Sequence, residues 1–264
     1  MFLLALAQAT VFADSILLDD FSTNLTLSNV VFSALNSDGT VNPTGSTAGS
    51  AVSSFWKRIE LAPGNMATWT DTVSPSFPNG ILGGVRSGEI RNGTGSNQKS
   101  NFKILNGVMN VDSPSANMLC MTCLTYNFST RQDLSIVSRL IVDFTTFDVS
   151  ARGKVTMSVS LFDGVTTSSG DLATTTVNAG LNYFWLTGMQ NWGRLNMSQI
   201  QQVKVGFSTN TPGVDFTVNS LAFTHAPEPN SLIVLGAITG ISVVIRRFKN
   251  RRRRMLLISH QQCG

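Results

Sequence analysis

The chain contains little of the chemistry on which most catalytic and metal-binding sites depend. Its 264 residues include only two histidines, His225 and His260, and both lie near the end of the sequence. Catalytic or zinc sites built from several histidines are therefore excluded. The three cysteines, Cys120, Cys123 and Cys263, are also too few for a framework of disulfide bonds.

Charged residues are scarce as well, and their distribution is uneven. They make up 13% of the chain, about half the usual share in a soluble protein. Lys and Arg number 19 against 15 Asp and Glu, which gives a net charge of +4, but no acidic residue follows Glu228. Seven of the 19 basic residues lie between positions 246 and 254, so the preceding part of the chain carries a net charge of −3. This distribution excludes a basic groove for DNA or RNA.

The first 13 residues form a short apolar run that predicts a signal peptide. Small side chains at Val11 and Ala13 suit cleavage before Asp14. No Lys or Arg precedes the run, which indicates either a weak signal or a start that lies further upstream. A buried first strand is the alternative interpretation.

An uncharged segment near the other end, residues 231–245, predicts a single transmembrane helix. Its 15 residues span about 22 Å as a helix, which is shorter than a hydrocarbon core of about 30 Å. A basic cluster follows directly, and the positive-inside rule places that cluster in the cytoplasm and the preceding residues outside. The cluster consists of Arg246, Arg247, Lys249, Arg251, Arg252, Arg253 and Arg254.

A tripeptide with two prolines, Pro227-Glu228-Pro229, stands just before this apolar segment. The prolines keep it extended and accessible to a processing enzyme. The tripeptide, the apolar helix and the arginine cluster, in this order, resemble the PEP-CTERM sorting signal, and together they define residues 226–254 as a sorting segment. The resemblance implies an exosortase as partner, which would cut near the motif while the protein is held in the inner membrane. Such proteins normally end soon after the basic cluster, whereas this sequence continues over residues 255–264.

Residues 14–225 have the pattern of an all-β protein. The run Val155–Phe162 alternates apolar and polar residues and ends at the turn dipeptide Asp163-Gly164. Similar alternation recurs between Gly, Pro and Asn, which predicts one antiparallel β-sandwich domain, jelly-roll-like, with polar loops over residues 36–50 and 92–101. One short helix is predicted over residues 191–202.

Two segments of this region also resemble other proteins that carry the sorting signal. They are residues 17–21 (LLDDF) and residues 81–86 (ILGGVR).

The spacing of Cys120 and Cys123 fits three states, of which a local disulfide outside the cytoplasm is favoured. Free thiols are the second state. A thioredoxin-type redox motif is the third, but it needs a helix that begins at the first cysteine, and the flanking residues favour a strand or a loop. A zinc site would need a second pair of ligands, which residues 14–225 do not offer.

Exposed aromatic rings on a sandwich can stack on sugars, and six aromatic residues are candidates for this role. They are Trp56, Trp69, Trp185, Trp192, Tyr183 and Phe184. Alternation along a strand places Tyr183 and Trp185 on one face and Phe184 on the other. Tyr183 and Trp185 are therefore the predicted glycan-stacking residues, while core packing is the more frequent use of such side chains.

The carboxylates raise two further hypotheses, a structural calcium ion and a glycosidase centre. Candidate calcium ligands are Asp19, Asp20, Asp143, Asp148, Asp163 and Asp215. No loop of the D-x-D-x-D kind occurs, so turn formation explains these residues more simply and no cofactor is predicted. Glu60 and Glu89 are the only glutamates of residues 14–225, and their neighbours do not mark them as a catalytic pair.

These observations predict an exported, non-catalytic protein. A C-terminal helix anchors it transiently in the inner membrane, and an exosortase then processes it into a component of the cell surface or extracellular matrix. The alternative hypothesis is a carbohydrate-binding module that follows the same route and binds extracellular polysaccharide. A glycan-degrading enzyme is the third hypothesis.

Overall fold

The computed structural model describes residues 15–73, 82, 84–93, 98–112, 120–147, 155–172, 179–209 and 214–225. The predicted signal peptide (1–13), sorting segment (226–254) and tail (255–264) lie outside these residues, as does Asp148. The chain divides into two units at Thr224, and all described residues except His225 belong to the first unit. Among the described residues, no helix is long and apolar enough to span a membrane.

Sixteen strands are described. They are β1 (Ser15–Asp19), β2 (Val31–Leu35), β3 (Val41–Asn42), β4 (Ala51–Ser53), β5 (Arg58–Leu61), β6 (Asn65–Val73), β7 (Gly84–Asn92), β8 (Ser100–Leu105), β9 (Val108–Asp112), β10 (Cys120–Gln132), β11 (Arg139–Phe147), β12 (Val155–Phe162), β13 (Thr167–Leu172), β14 (Gly180–Trp185), β15 (Ile200–Thr209) and β16 (Phe216–Thr224).

The strands form two antiparallel sheets that pack as a sandwich. The first sheet has the order β14-β11-β16-β9-β8-β5-β4, and β1 also pairs with β16. The second has the order β13-β12-β15-β10-β7-β6-β2-β3. The predicted all-β sandwich is therefore confirmed.

Alternation along the strands produces the core between the two sheets. In β12 every second side chain, from Val155 to Leu161, is buried, and the residues between them are only partly buried. Aromatic rings join the two layers: Phe207 of the second sheet lies 6.2 Å from Phe144 and 5.4 Å from Phe216 of the first, measured between ring centroids. Burial of both inner faces is thus what holds the sheets together.

A buried ionic cluster connects β1 with three strands of the second sheet. The Arg86 guanidinium donates to Asp19 Oδ2 over 2.9 Å and to Asp71 Oδ2 over 3.3 Å, and its side chain has no exposed surface. It also donates to the carbonyl oxygen of Thr23 over 2.9 Å. The Tyr126 hydroxyl donates to the same oxygen of Asp19 over 2.9 Å. Asp19 and Arg86, which belong to the two segments singled out in the sequence, therefore meet in one cluster.

The helix predicted over residues 191–202 is wrong. This segment contains two 3-10 turns, Trp192–Arg194 and Met197–Gln199, and then enters β15. Asn191 adopts a left-handed conformation with φ of 61°, and the Asn196 side chain accepts a hydrogen bond from the Ser198 amide. Such local bonds from asparagine favour turns over a continuous helix.

Candidate functional site

The edge strand β14 presents a row of exposed side chains on the outer face of the first sheet. Leu181, Tyr183 and Trp185 are 38%, 42% and 53% exposed, whereas Phe184 between them is 9% exposed and packs against the core. The predicted division of Tyr183 and Trp185 from Phe184 is confirmed. Alternate residues of a strand lie roughly 6.6 Å apart, so the two exposed rings are close neighbours.

Arg139 of β11 completes this surface, which we call the β14 platform (Leu181, Tyr183, Trp185 and Arg139). Arg139 is the register partner of Trp185, and its guanidinium carbon lies 3.8 Å from the centroid of the indole ring. Stacking of this kind is a cation–π interaction that fixes the orientation of the ring. The Arg139 Nε atom is buried and has no hydrogen-bond partner among the described residues. The platform therefore combines two exposed aromatic rings with a cation stacked on one of them.

The other tryptophans have different surroundings. Trp69 is 2% exposed and packs against Phe102, with 4.6 Å between the ring centroids. Trp192 is half-buried against the core. Trp56 is 60% exposed, but it lies in the β4–β5 turn at the opposite edge of the first sheet from β14. Core packing thus explains Trp69 and Trp192, while Trp56 and Trp185 remain accessible.

Glu60 and Glu89 lie on the two opposite outer faces of the sandwich. Glu60 belongs to β5 of the first sheet, where the flanking Ile59 and Leu61 point into the core. Glu89 belongs to β7 of the second sheet, next to the core residue Ile90. Since packed sheets lie about 10 Å apart and these side chains point away from each other, the two carboxylates cannot flank one glycosidic bond.

Glu60 is also held in its ionised form. Hydrogen bonds from the Arg58 guanidinium, of 2.7 and 3.0 Å, lower the pKa of its carboxyl. A general acid of a glycosidase needs the opposite shift.

The predicted disulfide between Cys120 and Cys123 is wrong. Both residues lie on the continuous strand β10, and Cys123 is a free cysteine. Three residues of extended strand span about 10 Å, whereas the Cα atoms of a disulfide are roughly 4.4–6.8 Å apart. Burial is the main cause that raises the pKa of the Cys123 thiol, so this thiol is protonated and poorly nucleophilic near neutral pH.

The described aspartates take part in local bonding. Asp163 accepts hydrogen bonds from the amides of Val165, Thr166 and Asn196, as expected of a turn residue. Asp19 is bound within the ionic cluster. No group of three His, Cys, Asp or Glu side chains in the described part of the chain is arranged to hold a metal ion.

Sequence reasoning missed a polar trough on the outer face of the second sheet. Two adjoining cavities, of about 540 and 370 Å³, share Cys123 and Lys204 in their lining. Hydroxyl side chains line much of the rest, among them Thr68, Thr70, Ser87, Thr125, Ser158, Ser160 and Ser169. The sequence shows these residues as the polar positions that alternate with apolar ones along each strand. Only the order of the strands in the sheet shows that polar positions of different strands lie next to each other.

No protein-family model matches this sequence, and no curated protein matches it. Several solved structures are similar. One is the family 11 carbohydrate-binding module of the cellulosomal cellulase Lic26A-Cel5E of Clostridium thermocellum, with 11% identity, a TM-score of 0.35 and coverage of 81% of this chain and 97% of that one. Another is a carbohydrate-binding module of the β-sandwich superfamily, with 12% identity, a TM-score of 0.32 and coverage of 76% and 86%.

A third similar structure is PfGH50B, with 14% identity and a TM-score of 0.34, and here the match covers 49% of this chain and 22% of the other. The chain thus spans about a fifth of the length of that protein.

Proposed function

We propose that the chain is an exported, non-catalytic glycan-binding protein whose binding surface is the β14 platform. The observation that carries this proposal is the exposure of Tyr183 and Trp185 side by side, with Arg139 stacked on the indole. The C–H bonds on one face of a sugar ring are weakly positive and fit the negative face of an aromatic ring. Two neighbouring rings on an edge strand can therefore hold consecutive sugars of a chain.

Arg139 adds polar recognition to this surface. Its guanidinium covers one face of the Trp185 ring, so a sugar would stack on the other face of the indole or on Tyr183, beside the arginine. An arginine in this place can donate to hydroxyl or carboxylate oxygens of the ligand. The polar trough, by comparison, offers hydroxyl groups without an exposed aromatic ring.

The binding role is tested with the full chain in detergent and a set of immobilised and soluble polysaccharides. Trp185→Ala and Tyr183→Ala should each lower the affinity for the retained polysaccharide about five- to 150-fold, if a sugar stack is worth about 1–3 kcal/mol, as the stack of a base on an aromatic ring is. Trp56→Ala, which removes the exposed indole at the other edge of the sheet, is the matched control and should leave retention unchanged. Retention that survives the loss of both Tyr183 and Trp185 would contradict the proposal, and so would the absence of retention on every polysaccharide.

A non-catalytic role is supported by the carboxylates. Glu60 and Glu89 lie on opposite faces of the sandwich, and hydrogen bonding from Arg58 keeps Glu60 ionised. Turnover of a glycan that is abolished by Glu60→Gln or Glu89→Gln would contradict this part of the proposal.

The export route is a separate proposal, and it is supported by the sequence alone. The order of Pro227-Glu228-Pro229, an apolar segment and an arginine cluster suits transient anchoring in the inner membrane and processing by an exosortase. The product would then reside at the cell surface or in the extracellular matrix, where a polysaccharide ligand is available.

A further inference from the structure

The β4–β5 turn carries a second exposed aromatic surface that the glycan-binding proposal does not use. Phe55 is 83% exposed and Trp56 is 60% exposed, and their rings meet edge to face with 4.7 Å between the centroids. We call these two residues the aromatic tip. Most of their apolar surface faces water, which is unfavourable unless a partner covers it.

The backbone of the turn has two features that define its shape. Lys57 has a positive φ of 48°, which is unusual for a residue other than glycine, and the Trp56 amide donates to Ser53 Oγ over 3.3 Å. The strand β4 that leads into the turn is at the edge of its sheet. The aromatic tip therefore lies in an exposed turn at the sheet edge opposite to β14.

Positive charge surrounds the aromatic tip. Lys57 is exposed and has no ion pair with a described residue, and the Arg58 guanidinium carbon lies 5.8 Å from the centroid of the Trp56 ring. Arg58 and Lys99 both lie near Glu60, at 2.7 and 3.6 Å from its carboxylate oxygens. Two cations thus share one carboxylate and Lys57 adds a third positive charge, which leaves an excess of positive charge beside the two rings.

An apolar cavity of about 290 Å³ lies next to the turn. Its lining includes Leu25, Leu27, Ile104 and Leu105, and also Ser54 and Lys57 of the turn. Apolar side chains therefore lie next to two residues of the turn that carries the rings.

We propose that the aromatic tip docks on the surface of an anionic lipid bilayer. Trp and Phe side chains favour the boundary between head groups and acyl chains, and cations close to that boundary bind acidic head groups. The edge-to-face arrangement of Phe55 and Trp56 suits insertion better than stacking, because it does not present two coplanar rings to a sugar. In this geometry Lys57 and Arg58 lie at the level of the lipid phosphates, and the sandwich is held close to the membrane.

A fluorescent probe beside the tip tests the proposal in the full chain. The native cysteines are changed to serine, Ser54→Cys is labelled with an environment-sensitive dye, and the protein is reconstituted into vesicles of phosphatidylcholine with or without phosphatidylglycerol. We expect blue-shifted emission with the anionic vesicles at low ionic strength and emission typical of water with the neutral vesicles. A probe at Val165→Cys, in an exposed turn of the other sheet, is the control and should report water in both cases. The basic cluster of the C-terminal segment also favours anionic lipid, and the probe at position 165 controls for this, since attraction through that segment alone would not single out the aromatic tip.

Two variants separate the contributions of the rings and of the charge. Phe55→Ser combined with Trp56→Ser should abolish the shift of the probe at position 54. Lys57→Asn removes one cation and keeps a residue that tolerates a positive φ, so it should fold and should weaken the preference for anionic vesicles about fivefold. Equal emission on neutral and anionic vesicles, or a shift that persists without both rings, would overturn the proposal. Loss of polysaccharide retention in the double variant would assign the tip to glycan binding instead, and a negative result at the tip leaves the role of Trp185 untouched.

Discussion

Arg86 is a fully buried cation, and its contacts explain how a charge can be held there. Two carboxylates, from Asp19 and Asp71, and one carbonyl oxygen accept hydrogen bonds from its terminal nitrogens, while its Nε atom has no partner within the described part of the chain. A buried ion pair contributes little compared with well-packed apolar residues, but removal of one partner leaves a charge without compensation. The cluster therefore makes the fold depend on each of its members.

Replacement of this arginine should be strongly destabilising. We expect Arg86→Met to lower the free energy of unfolding by about 3–5 kcal/mol, because Asp19 and Asp71 would remain buried without a cation. The matched control is Arg58→Met, which removes a partly exposed pair with Glu60 and should cost about 0–1 kcal/mol. Urea unfolding measures the loss of unfolding free energy in both variants. Equal losses would show that the buried cluster contributes no more to stability than the partly exposed pair.

Tyr126 should make stability depend on alkaline pH. The pKa of its hydroxyl is raised well above the usual value of 10.0, mainly because burial disfavours the phenolate and also because the Asp19 carboxylate lies beside it. The folded protein thus keeps a proton that the unfolded chain releases at about pH 10. The contribution to stability is complete below that pH and falls by about 1.4 kcal/mol per pH unit above it.

Tyr126→Phe tests this dependence. The variant should lose about 1 kcal/mol at neutral pH with the hydrogen bond to Asp19, but its alkaline slope should be shallower. Unfolding free energies are compared from neutral pH to about pH 11. If the unfolding free energies of the native chain and of Tyr126→Phe fall equally with pH, titration of groups other than Tyr126 causes the loss of stability at alkaline pH.

Among the elements, the pair β6 and β7 depends on a glycine that a tryptophan covers. Trp69 and Gly88 are register partners, and a Cβ atom placed on Gly88 would lie 1.9 Å from the indole ring. The ring also packs against Phe102 of the first sheet, so it cannot move aside freely. Trp69 therefore fills the space between Gly88 of its own sheet and Phe102 of the other sheet.

A single methyl group at this place should therefore be costly. We expect Gly88→Ala to destabilise the protein by about 1–3 kcal/mol through overpacking. Gly193→Ala is the control, since a Cβ at that position meets no atom within 4 Å. The midpoints of thermal unfolding of Gly88→Ala and Gly193→Ala are compared. Similar midpoints would contradict the prediction, because they would mean that Trp69 can move to accommodate the methyl group.

At the scale of the whole molecule, patterns within a single strand were predictable, whereas contacts between strands were not. The limits of Val155–Phe162 and the opposite faces of Phe184 and Trp185 follow from alternation alone. The stacking of Arg139 on Trp185 depends on strand order, since β11 and β14 are separated by β12 and β13 in the chain.

The disulfide was mispredicted for a related reason. A spacing of three residues says nothing about whether the chain turns or continues as a strand, and β10 continues. The polar trough likewise consists of residues from several strands that only the sheet brings together.

The proposed export route also makes a prediction for the whole molecule. Replacement of Pro227, Glu228 and Pro229 by alanine should leave the uncut, full-length chain in the inner membrane, because the exosortase would lose its motif. Fractionation of cells that express the exosortase, followed by immunoblotting, measures this outcome, and the unchanged chain in cells without the exosortase is the control for retention. Normal release of the alanine variant would contradict sorting through this motif.

Because the first and last described strands pair with each other, the domain is suited to circular permutation. Ser15 and Thr224 are register partners of β1 and β16, so the two ends of the described domain lie about 5 Å apart. A short linker could join these two ends and make the chain circular. New ends could then be placed in the tight turn Asn106-Gly107 between β8 and β9, where the only strand pairing at risk among the described residues is the one next to the turn. Such a circular permutant should reach the same sandwich, which means that its architecture does not depend on which strand leaves the ribosome first.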